Sequence, residues 1–163
     1  CRPIYGADEN IKNNIIDKDA PVVIFETPAM YTISEEGINR IVYANNAIKY
    51  KNRDEMYYAD VTLKNLDKTQ NFKSENLKAD LIVKTQNNYT LTNNVKYIRD
   101  DFIKLNTEEL FYDDTAKIAN NSKPFDAIYN NHSLKGDTFY IDINNDYAKA
   151  KNTHFEIDVT KKN

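Results

Sequence analysis

The chain has 163 residues, 22 basic and 25 acidic side chains for a net charge of -3, a single cysteine and twelve tyrosines. The two signs of charge are mixed along the sequence, which argues against the concentrated basic face that a nucleic-acid partner requires. The lone Cys1 excludes an intramolecular disulfide or a cysteine metal cluster. The longest apolar runs, residues 22–25 and 41–44, fall far short of the roughly 18–20 residues that span a bilayer as a helix.

Residues 1–20 are polar and unpatterned and read as an N-terminal linker, and 21–163 read as one domain. Cys1 is either a lipid-bearing first residue, as in a mature bacterial lipoprotein, or an inert thiol; Arg2 is not the small residue expected after a lipidated cysteine. Residues 22–25 predict a first strand, and Tyr31 to Ile33 lead through a turn at Gly37 into a strand over 38–43. From there a cadence appears. Strand-like stretches start at Ala44, Ala59, Ala79, Leu91, Leu105, Ala119, Leu134 and Ala148, at successive intervals of 15, 20, 12, 14, 14, 15 and 14. A repeat that short has no room for a crossover helix, so it predicts stacked antiparallel strands. Within it, Tyr57, Ala59, Val61 and Leu63 alternate with polar residues, as do Leu77, Ala79, Leu81 and Val83, so these are expected on the inner face and Lys84 on the outer. Turns are predicted at Asn93-Asn94, Arg99-Asp100-Asp101, Asp113-Asp114, Asn130-Asn131 and Gly136-Asp137, leaving strands of about five residues. With only three glycines, asparagine is expected to fill most left-handed corners.

No catalytic residue and no metal site is predicted. His132 and His154 lack ligand spacing. The pairs Glu108-Glu109, Asp100-Asp101 and Asp113-Asp114 fall at turns or point to opposite faces of a strand, which suits capping better than acid/base chemistry. No glycine loop for phosphate is present, and no cofactor is expected.

Residues 77–84, 89–97, 103–119 and the run Ser122-Lys123-Pro124-Phe125 together resemble the LptC family of the lipopolysaccharide export machinery, and also the related periplasmic bridge protein LptA. The resemblance extends over about residues 21–159 and is most specific between Leu105 and Phe125. It implies an all-β fold: an open, twisted β-jellyroll of about 12–16 short antiparallel strands in two facing sheets around an apolar groove. It further implies a non-enzymatic periplasmic protein that binds lipopolysaccharide through lipid A and takes it from an LptBFG-type inner-membrane transporter docked at the N-terminal edge. The lipid would pass to an LptA-like bridge at the C-terminal edge, around residues 154–160. Family members carry an N-terminal inner-membrane anchor helix, which this sequence lacks, and often Gly-Asn where Asn93-Asn94 stands here.

Combined with the alternation, the resemblance nominates sixteen groove-facing residues: Tyr57, Val61, Leu81, Val83, Tyr89, Leu91, Val95, Tyr97, Ile103, Leu105, Leu110, Tyr112, Phe139, Ile141, Phe155 and Ile157. The physical need is plain, since each methylene exposed to water costs about 0.8 kcal/mol and a carrier of acyl chains must shelter many. Two other readings fit the same residues: an LptA-like soluble bridge, and a structural or adhesion β-repeat whose interior is an ordinary filled core.

Overall fold

A computed structural model describes residues 19–25, 29–35, 38–65 and 73–157. Residues 1–18 of the linker expected over 1–20, the turn at Gly37 and residues 158–160 of the expected C-terminal edge lie outside these residues. The described chain contains fourteen strands: β1 (Val23–Phe25), β2 (Ala29–Glu35), β3 (Ile38–Ala44), β4 (Asn46–Lys49), β5 (Asp54–Asn65), β6 (Ser74–Thr85), β7 (Asn88–Arg99), β8 (Ile103–Asp113), β9 (Ile118–Asn120), β10 (Phe125–Tyr129), β11 (His132–Gly136), β12 (Thr138–Asp142), β13 (Tyr147–Lys151) and β14 (His154–Ile157). All the pairings are antiparallel and join the strands into one open sheet.

The sheet is a meander bent in half. Strand β5 pairs with β4 through residues 54–57 and with β3 through 60–65. In the same way β8 pairs with β10 through residues 103–107 and with β9 through 111–113. The four long strands β5 to β8 thus run through both halves, and five pairs of short strands complete nine layers. One leaf holds, in order, β1, β4, residues 54–57, 81–85, 88–92 and 109–113 of the long strands, β9, β12 and β13. The other holds β2, β3, residues 59–65, 74–79, 95–99 and 103–107, β10, β11 and β14. The leaves face each other across a shared interior. Phe125 on β10 meets Phe139 on β12 edge to face at 5.1 Å, and Tyr112 on β8 reaches Glu75 on β6.

In several layers the bend line is marked by left-handed backbone or small residues. Tyr58, Asn93, Asn94 and Asn152 all have φ between 50° and 63° there, and the β6–β7 and β7–β8 registers slip at the same level. Ala59 faces Ala79 in register, with Ala44 on the adjoining strand, all buried where the leaves converge. Beside the bend in the layer of β11 and β12, a Cβ on Gly136 would stand 2.8 Å from the Phe125 ring, so only glycine leaves the Phe125–Phe139 pair intact.

This geometry corrects one sequence expectation. Strands β5 to β8 are 11 or 12 residues long rather than about five. Asn93-Asn94 does not reverse the chain; it takes left-handed φ inside β7 and bends the strand as a bulge. The interval near 14 in the sequence is the length of a whole layer. Elsewhere the asparagine reading holds: Asn130-Asn131, both at positive φ between the paired Tyr129 and His132, form the two-residue hairpin turn that favours such residues. Replacing Asn93 or Asn94 by valine is expected to cost about 1–2 kcal/mol each, and replacement by glycine much less, measured by urea denaturation.

Candidate functional site

Hydrophobic alternation from both leaves fills the space between them. On the leaf of β3, the cross-strand row Val42, Val61, Leu77, Tyr97, Leu105, Ala127, Leu134, Phe155 crosses eight strands, from β3 to β14. On the leaf of β4, the row Ala47, Met56, Ile82, Leu91, Leu110 crosses the five strands β4 to β8. Cover is complete in the middle layers, where Val61, Leu77, Ile82, Leu91 and Leu110 are sealed from solvent. It thins toward both ends of the stack. Leu134 is half-buried and Phe155, in the same row, is 57% exposed. At the opposite end Phe25, paired with the buried Ala47, is 41% exposed. The interior is therefore a dry apolar seam whose two ends open to water.

Of the sixteen candidates, nine lie buried between the leaves: Val61, Tyr89, Leu91, Val95, Tyr97, Leu105, Leu110, Tyr112 and Phe139. Ile103 and Ile141 pack against this core from partly exposed positions. Phe155 lies on the inner face at the open end, its ring stacked on His132 at 6.1 Å. Ile157 belongs to β14 opposite His132 in register.

Tyr57, Leu81 and Val83 are corrections. They share the outer face with Glu55, which accepts a 3.0 Å hydrogen bond from the Tyr57 hydroxyl, while Met56 and Ile82 point inward. The bends at Tyr58 and between Ala79 and Leu81 reverse the parity that holds for Leu63, Val61 and Ala59. By the same reversal Lys84 shares the face of Ile82 rather than the outer one.

What alternation missed is a polar network at the rim of the seam, away from the bend. The Glu75 carboxylate, only 1% exposed, accepts hydrogen bonds from the hydroxyls of Tyr97 and Tyr112 and from the Arg99 guanidinium at 3.0 Å, with Lys117 Nζ 3.9 Å away. Beside it, the Asp114 carboxylate accepts from Arg40 and, at 2.6 Å, from Lys117. Arg40, Glu75 and Arg99 lie on one leaf; Tyr112, Asp114 and Lys117 belong to the other. Burial and the neighbouring Glu75 push the Tyr97 hydroxyl well above the ordinary phenol range, and the same two causes raise Tyr112, so both act as donors. Burial alone would raise Asp114, but its bonds to Lys117 and Arg40 outweigh that and hold it below the usual carboxylate value. A carboxyl depressed on folding contributes stability that is fully present above its unfolded pKa and lost as pH falls through the folded one. Wild-type stability is thus expected to fall steeply below about pH 4, and Asp114→Asn to flatten that slope, read from urea midpoints at pH 7, 4 and 3.

The acidic pairs have structural partners. Glu108 accepts the Asn94 amide and Glu109 the Ser122 amide, capping bends, while Asp113 accepts the amides of Thr115 and Ala116 in the β8–β9 turn. Among the described residues no three His, Cys, Asp or Glu side chains gather as a metal site.

No family model matches the chain, and no curated protein matches it. Among solved structures it is similar to LptH, the LptA-homologous periplasmic component of the conserved lipopolysaccharide transport device from Pseudomonas aeruginosa. That similarity has 12% identity and a TM-score of 0.43, over 87% of this chain and 98% of that one.

Proposed function

We propose that this protein is a non-enzymatic, periplasmic lipopolysaccharide-binding component of the LptC and LptA kind, carrying acyl chains along the seam between its leaves. The observation that carries this reading is the continuity of the apolar inner faces through the layers, sealed at the centre and partly exposed at Phe25 and Phe155. Acyl chains entering such a seam leave water without any covalent step, while a sugar headgroup stays outside. The resemblance of residues 77–125 to the LptC family points to the same cargo.

The partners follow from the edges. Strands β1 and β2 end the stack at the N-terminal side, and β13 and β14 at the C-terminal side. Unpaired edge backbone accepts a strand from a second protein and so extends the seam. In this proposal the N-terminal edge receives lipid from an inner-membrane LptBFG-type transporter and the C-terminal edge passes it to an LptA-like bridge. Because each end offers edges from both leaves, the soluble-bridge alternative is supported as well; it predicts head-to-tail oligomers that grow with concentration, whereas a monomer or modest dimer favours the LptC role. Lipopolysaccharide retained by the purified chain on gel filtration, and displaced by lipid A but not by its free sugar chain, tests the cargo. Absence of retention would leave a structural β-repeat with a filled core.

A further inference from the structure

We propose that the Arg40, Asp114, Lys117, Glu75 and Arg99 network is a latch, and the bend line a hinge, so that breaking the latch parts the leaves along the rim and opens the seam from the side. The inference rests on the seam being the lipid path and adds a route into it. Its basis is an asymmetry in how the leaves are joined. At the bend they are continuous through the backbone of β5 to β8. At the rim, among the described residues, the joins are between side chains: Arg40 to Asp114, Tyr112 to Glu75, and Lys117 to Glu75. The backbone bonds of the neighbouring turns, such as Asp114 to Asn87 and Asp100 to Ser74, stay within one leaf.

The hinge side is built to flex in register. The buried alanines Ala44, Ala59 and Ala79 place little side-chain bulk where the leaves converge, and left-handed residues sit at that level in β5 and β7. The latch side is built to let go as a unit. Three cations face two carboxylates, and Lys117, with 17% of its side chain exposed, touches both carboxylates. Because Lys117 bridges the two carboxylates, its loss weakens the joins at both at once, which favours separation of the rim into water over a half-made network.

Spin labels at Lys64→Cys and Thr115→Cys, both exposed and on opposite leaves, in the full chain with Cys1→Ser, would read the rim spacing directly. A single narrow distance is expected with the latch intact, and a longer, broader one after Lys117→Met with Asp114→Asn. An unchanged distance in a variant that keeps its β circular dichroism would overturn the latch. If that variant does not fold, Arg40→Cys with Asp114→Cys, stapled by a short reducible bis-thiosulfonate, replaces it. Uptake of N-phenyl-1-naphthylamine is then expected to rise at least tenfold on reduction, and equal uptake before and after would overturn the proposal. Widening in a chain that binds no lipopolysaccharide would keep the latch and contradict the lipid path; lipopolysaccharide binding with an immobile rim would do the reverse.

Discussion

Replacing Glu75 by leucine is expected to cost about 3–5 kcal/mol of folding stability, the range for breaking a buried ion pair from one side. Glu75 has almost no contact with solvent and satisfies the Tyr97 and Tyr112 hydroxyls and the Arg99 guanidinium at once. Leucine fills similar volume but accepts no hydrogen bond, so the buried Arg99 guanidinium loses its carboxylate while Nε still donates to the Tyr97 hydroxyl at 3.0 Å. Adding Arg99→Met is expected to return much of the loss, because paired removal of a buried ion pair is often neutral. A non-additive double-mutant cycle in urea distinguishes a coupled network from simple loss of packing. Additive losses would mean that Glu75 and Arg99 act independently.

The second large effect separates neighbouring residues. Ile82→Ala is expected to cost about 2–5 kcal/mol, since it empties a fully sealed position between Met56 and Leu91. Leu81→Ala, one residue earlier on the half-buried outer face, should cost less than about 1 kcal/mol. Urea midpoints of the two variants check it, and equal losses would contradict the register of β6.

Those two residues also mark where sequence reading works and where it stops. All-β architecture, antiparallel layering and the asparagine corners follow from period-2 alternation and turn chemistry, and within each half-strand the parity is right: Val61 with Leu63, Leu77 with Ala79, Tyr97 with Val95. Across a bend it fails. Leu81, Ile82 and Val83 are consecutive apolar residues, so alternation alone does not choose between them, and the slip after Lys78 that decides it arises from pairing with β7, where Lys78 meets Lys96 but Leu81 meets Thr92. The rim network escaped for another reason. Arg40, Glu75 and Arg99 each stand two residues from an inner-face residue, Val42, Leu77 and Tyr97, so strict alternation places them inside. Their charge argues for the surface until a partner from another strand is known, and Asp114 is 74 residues from Arg40.

The measurement that tests the lipid path most directly is photocrosslinking of the full chain to lipopolysaccharide from single photoreactive side chains. The inner positions are Leu134, Phe139 and Phe155, with Leu81 and Phe111 as outer-face controls. Adducts at the three inner positions with little at the controls are the predicted result. Labelling that is equal on both faces, or absent from the inner one, would contradict a lipid path between the leaves.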